Sequence, residues 1–134
     1  PIGGIASTAR MGNIENPFNV AKLAEAAGAT FVARGSTYHV DELDELMGMA
    51  IRKKGFSVLE VITPCPTIYG RNNRLGSGVS MLKQQRDSLV SMHDAQGMSA
   101  EELKGKTVLG VLADVEKPEY CEEYAKLIER AQKA

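Results

Sequence analysis

Between Phe18 and Ile62 the apolar residues alternate between helical spacing and short continuous runs. Val20, Leu23, Ala24 and Ala27 recur at helical spacing, with Asn19 placed to cap a helix and Gly28 to stop it. Thr30 to Ala33 follows as a β-branched and aromatic run suited to a buried strand. The helical rhythm returns from Val40 to Lys54, where Leu43, Leu46, Met47, Ala50 and Ile51 form one apolar face. Acidic Asp41, Glu42, Asp44 and Glu45 open that segment and basic Arg52, Lys53 and Lys54 close it, which complements the helix dipole. After Gly55, the nearly unbroken apolar run Phe56 to Ile62 predicts a strand buried on both faces, as in a parallel sheet. Two such strands joined by a helix make a right-handed βαβ unit.

Beyond Ile62 the pattern weakens. Thr67 to Gly78, rich in Gly, Asn and Arg, reads as loop, and Val79 to Met92 as a less clearly amphipathic helix. Ser99-Ala100-Glu101-Glu102 is a capping box that opens a short helix ending near Gly105. Thr107 to Ala113 reads as a third strand. Pro118 suits the first position of a terminal helix running to Gln132, with Tyr120, Tyr124, Leu127 and Ile128 expected to face inward. No internal repeat, low-complexity tract or linker interrupts the chain. The expected architecture is one α/β domain over residues 1–134, a partial parallel sheet with flanking helices. Residues 70–106 hold few core signals and are expected to form an arm over a neighbouring chain.

Composition changes this picture little. At 134 residues, 43% hydrophobic and 25% charged, the chain can bury a core as an ordinary globular domain. A net charge of -1 argues against nucleic acid or an anionic membrane as the main partner. No apolar run reaches transmembrane length. The 2 cysteines lie far apart, which argues against a disulfide framework and for a reducing, cytoplasmic setting. The opening Pro1-Ile2-Gly3-Gly4, with glycine and small polar residues through Asn16, is expected to be the interior of a longer protein.

The candidate chemistry centres on Pro64-Cys65-Pro66-Thr67, directly after the second strand. Proline fixes φ and lacks an N–H, so this turn is stiff and cannot extend the strand. In open α/β sheets ligands gather beyond the carboxyl ends of strands, so Cys65 reads either as a small buried residue or as a metal ligand, and it is the candidate metal site of the chain. One thiolate cannot hold an iron–sulfur cluster, and with no CxxC in the chain its other ligands must lie elsewhere. Arg71 and Arg74, flanking Asn72 and Asn73, form a small basic loop after it, read either as solvated or as a bridge to another subunit or an anionic cofactor. Cys121 reads as packing beside Tyr120 and Tyr124. His39 reads as a helix-start residue, and neither it nor His93 joins a catalytic arrangement. Gly105-Lys106-Thr107 mimics a P-loop, but it follows a helix and enters a strand, and Glu101 and Glu102 would repel phosphate.

The runs NPFNVAKLAEAAGATFVAR and AIRKKGFSVLEVITPCPTIYGRNN resemble the β subunit of 2-oxoacid:ferredoxin oxidoreductases, nearest the 2-oxoglutarate branch. The likeness is good over about residues 1–75 and looser from Gly105 to Leu127. It implies the carboxyl-terminal half of a thiamine-diphosphate-binding fold. It further implies an enzyme that decarboxylates 2-oxoglutarate, pyruvate or another 2-oxoacid, forms an acyl-coenzyme A and passes electrons to ferredoxin. The implied cofactors are thiamine diphosphate, Mg²⁺ and a [4Fe–4S] cluster, and the implied partners are the α subunit and, in some assemblies, γ and δ subunits. By this resemblance Cys65 matches the late cysteine that supplies the fourth cluster ligand. The family's early cysteines and its Gly-Asp-Gly-Asp…Asn signature for Mg²⁺-diphosphate do not occur here. The isolated chain is therefore expected to bind neither cofactor, to be inactive, and to self-associate through exposed sheet edges. The competing expectation is a cofactor-free α/β module that docks on or regulates an oxidoreductase.

Overall fold

The computed structural model describes residues 1–133. Its first half follows the expected pattern. Helix α1 (Val20–Ala26) is capped by Asn19, whose side chain accepts the Lys22 N–H at 2.9 Å, and it ends at Gly28 with φ 93°. Strand β1 (Phe31–Ser36), helix α2 (Val40–Arg52) and strand β2 (Ser57–Ile62) follow, with β1 and β2 paired in parallel from Phe31↔Ser57 to Ser36↔Ile62. β1 runs beyond the expected Thr30–Ala33 because Arg34, Gly35 and Ser36 continue the ladder although they break the apolar run.

The second half keeps the expected strand from Thr107 and the terminal helix to Gln132 but departs from expectation elsewhere. After a wide turn over Pro66–Gly70 come α3 (Gly78–Ser88), β3 (Leu89–Ser91), α4 (Met92–Ala95), β4 (Thr107–Asp114) and α5 (Tyr120–Gln132). The four strands form one sheet in the order β2-β1-β4-β3. It is mixed rather than parallel: β4 pairs antiparallel with β1 and parallel with β3. β3 lies inside a stretch read as helix, because the chain turns extended at Leu89 (φ -103°, ψ 147°). Residues 70–106 thus contribute a helix packed on the Pro66–Gly70 turn and a strand of the sheet. The capping box forms its reciprocal bonds, Ser99 N–H to Glu102 Oε2 at 2.8 Å and Glu102 N–H to Ser99 Oγ at 3.4 Å. What it caps is a run of turns, which ends at Gly105 with φ 79°.

The core sits around β1, whose successive side chains enter two layers, as strand alternation requires. Phe31 and Ala33 pack with Leu46 of α2 and with Ala50, Leu59 and Val111. Val32 packs with Ala21, Ala24 and Ala29 on the α1 side, against Val58, Leu112 and Ala113. β2 was expected to be buried on both faces, yet it occupies a sheet edge and is only half-buried, with Val61 exposed. The inward terminal helix is also corrected. α5 has no buried residue, and Tyr120, Tyr124, Leu127 and Ile128 are all exposed. Polar contacts of exposed side chains hold its start: Lys54 Nζ meets Glu122 at 2.5 Å and Lys117 Nζ donates to the Gly28 carbonyl at 3.0 Å. Cys121, expected as packing, is exposed with it.

Candidate functional site

Where β2 ends, the chain enters Thr63-Pro64-Cys65-Pro66, and Pro66 starts the wide turn of Pro66–Gly70. The Gly70 N–H donates to the Cys65 carbonyl at 2.8 Å, closing a turn one residue wider than an α-helical one. This replaces the expected loop after Pro66 with ordered helical backbone. Its open N–H groups face the Cys65 thiol. The Tyr69 N–H first, then the Ile68 N–H and the Thr67 hydroxyl (Oγ1 at 3.9 Å from Sγ), favour the thiolate and hold the thiol below its ordinary value. Cys65 is exposed, so its sulfur is presented outward. An exposed thiolate supported by N–H donors has the chemistry of a soft-metal or iron–sulfur ligand. Among the described residues no three His, Cys, Asp or Glu side chains converge to hold a metal ion.

Two features that sequence reading missed support this turn. Gln85, buried in α3, donates from Nε2 to the carbonyl of Ile62, the last residue of β2, at 2.6 Å. The Thr37 N–H reaches the same carbonyl at 3.0 Å. Met81, one helical turn before Gln85, lies against Gly70, where an added Cβ would come within 2.4 Å of its Sδ. The Met81/Gln85 spacing of four was the available signal, since it puts both on one face. Replacing Gln85 with Leu leaves the Ile62 carbonyl with one donor fewer and is expected to cost about 1–3 kcal/mol. Urea unfolding of the variant beside wild type measures that loss.

The other candidates join no metal-binding group among the described residues. Arg71 and Arg74 are exposed on the loop after the turn, Arg74 with φ 54°. His39 precedes α2 as expected, its Nδ1 2.9 Å from Ser36 Oγ. His93 is exposed beside Asp94. Lys106 and Thr107 lead into β4 out of a turn, which is not phosphate-loop geometry.

The two thiols differ in a way that alkylation can read. Glu119, by hydrogen bond and charge, pushes the Cys121 thiol up, while the N–H groups of the turn pull Cys65 down. Because the folded value of Cys65 is depressed, its thiolate contacts favour the fold above the unfolded thiol value. That contribution fades as pH falls through the folded value. Peptide mapping after iodoacetamide treatment across a pH series should show Cys65 labelled at lower pH than Cys121. Labelling in the reverse order is incompatible with this geometry.

Residues 1–61 match the family described as thiamine pyrophosphate enzyme, C-terminal TPP binding domain. The chain is 45% identical over 97% of its length to the 2-oxoglutarate synthase subunit KorB of Methanocaldococcus jannaschii, covering 48% of that protein. It is 36% identical over 96% of its length to the KorB of Methanothermobacter marburgensis, covering 45% of it. It also superposes on a chain of the 2-oxoglutarate:ferredoxin oxidoreductase of Magnetococcus marinus, with TM-score 0.75 and 23% identity. That fold match takes in 98% of this chain and 45% of the other. Over nearly its whole length the chain is thus similar to 2-oxoglutarate synthase KorB subunits, and over residues 1–61 to the C-terminal TPP binding domain of thiamine pyrophosphate enzymes. It spans about half the length of the curated relatives it matches.

Proposed function

We propose that this chain is the carboxyl-terminal part of the thiamine-diphosphate-binding β subunit of a 2-oxoglutarate:ferredoxin oxidoreductase. The observation that carries this reading is the 45% identity to a 2-oxoglutarate synthase subunit over 97% of the chain. In the complete, cytoplasmic enzyme, 2-oxoglutarate is oxidatively decarboxylated to an acyl-coenzyme A, and the electrons pass to ferredoxin. When bound, thiamine diphosphate supplies the ylid chemistry of decarboxylation and a [4Fe–4S] cluster the one-electron transfer.

This chain's own contribution is Cys65. Its thiolate, favoured by the Tyr69 and Ile68 N–H groups, serves as one cluster ligand. The Gln85 bond to the Ile62 carbonyl and the Gly70 bond to the Cys65 carbonyl fix the strand end and turn that present it. The remaining thiolates, and the carboxylates that hold Mg²⁺ on the diphosphate, come from outside this chain. The α subunit, with γ and δ where present, completes the assembly. The isolated chain is inactive, and it self-associates through its uncovered β2 edge and the apolar side of α5.

The test is turnover by the assembled enzyme, followed as ferredoxin reduction dependent on coenzyme A. Activity with 2-oxoglutarate above that with pyruvate supports the assignment, and a preference for pyruvate moves it to another branch. Absence of any 2-oxoacid-dependent reduction leaves the docking-module alternative. Arg71→Ala with Arg74→Ala is expected to weaken subunit assembly several-fold in size-exclusion binding, as loss of bridging guanidinium groups would. Unchanged assembly and turnover in that double variant would return the loop to a solvated role.

A further inference from the structure

The amino-terminal segment folds as a small hydrogen-bonded loop of its own. The Gly3 N–H donates to the Asn13 carbonyl at 2.6 Å, the Asn13 N–H to the Gly4 carbonyl at 2.9 Å, and Ala6 and Ala9 exchange N–H bonds at 3.2 and 3.0 Å. One side chain ties this loop to the cysteine turn. Asn73 Oδ1 accepts the Ile5 N–H at 2.8 Å, and its Nδ2 donates to the Ile5 carbonyl at 2.8 Å and to the Tyr69 carbonyl at 2.8 Å. An amide is the side chain for this task, because it offers one acceptor and two donors on a rigid plane. Toward Ile5 it behaves as a partner strand would, occupying both backbone groups of one residue. Gly4 seals the contact: a Cβ there would come within 2.9 Å of the Tyr69 hydroxyl.

Tyr69 is the shared piece. Its carbonyl is held by Asn73, while its N–H supports the Cys65 thiolate. The loop belongs to the stretch that matches the thiamine family, residues 1–61, and the cysteine turn lies just beyond it. We propose that Asn73 is a positioning residue that locks the amino-terminal loop to the Cys65 turn at a fixed separation. Its functional meaning rests on the reading above, in which Cys65 ligates the cluster.

The experiment uses the assembled enzyme with Asn73→Ala and the near-isosteric Asn73→Asp. The aspartate turns two donors into acceptors that face the Ile5 and Tyr69 carbonyls, without removing volume. Hydrogen exchange should quicken by at least about tenfold at the Ile5 and Gly70 amides in both variants, because Asn73→Ala loses all three side-chain bonds and Asn73→Asp the two donated ones, with α2 unchanged. The EPR spectrum of the reduced cluster should change at equal iron content. Wild-type exchange at both amides overturns the proposal, and so does quickening that extends equally into α2, which marks a general structural role. A wild-type EPR spectrum at full iron content also overturns it. If wild type itself carries no iron, the cluster reading fails, and the exchange data still decide whether Asn73 is the clamp.

Discussion

Replacing Cys65 with Ser is expected to remove most of the cluster iron from the assembled enzyme and to lower ferredoxin reduction by at least about 100-fold, the upper end of what disturbing a metal site's support costs. The expectation follows from the site's geometry. The Sγ is exposed, and its thiolate is favoured by the Tyr69 and Ile68 N–H groups. A serine hydroxyl in the same turn would remain protonated at neutral pH and is a poor ligand for iron held by thiolates. The fold should be unaffected, because the side chain fills no core space. Iron analysis and EPR of the purified variant give the readout. Full iron with an unaltered spectrum would leave Cys65 as an ordinary surface thiol and remove the chain's assigned part in electron transfer.

The second large effect is on stability. Phe31 is 1% exposed at the centre of the layer between β1 and α2. Phe31→Ala removes that ring from a site where Ala33, Leu59 and Val111 are fixed by the sheet and Leu46 by α2, so they cannot close the gap. The expected cost is about 3–5 kcal/mol, a large share of the ~5–15 kcal/mol that holds a typical domain folded. Denaturant unfolding should show the midpoint falling with little change in slope. A loss under about 1 kcal/mol would mean that the layer repacks and that β1 is not the rigid centre described above.

The contrast between these two sites shows what could be read in the sequence. α1, β1, α2 and β2 were legible because each carries local signals: the Asn19 cap, the Gly28 and Gly55 stops, and the charge gradient from Asp41 to Lys54. Cys65 was legible as a candidate because two prolines mark the end of β2. The mixed sheet was not, since the antiparallel pairing of β1 with β4 joins residues some 80 positions apart, such as Val32 and Ala113, and leaves no local trace. β3 was hidden because three residues suffice for it and its strand character comes from pairing with Thr107, Val108 and Leu109. α5 misled through its real apolar stripe, which a helix shows whether or not this chain supplies the surface that covers it. The supports of the cysteine turn were invisible for the same reason as the sheet. Gln85 and Asn73 act on Ile62 and on Ile5, across separations of 23 and 68 residues.

The cofactor content of the protein isolated with its natural partners decides whether this chain belongs to a cluster-bearing thiamine enzyme. Iron and acid-labile sulfide would be measured together with thiamine diphosphate, per copy of this chain. Thiamine diphosphate near one per copy and iron near four per copy, for one [4Fe–4S] cluster, are expected. Intact protein that carries neither would contradict the assignment and leave an α/β module with a reactive thiol.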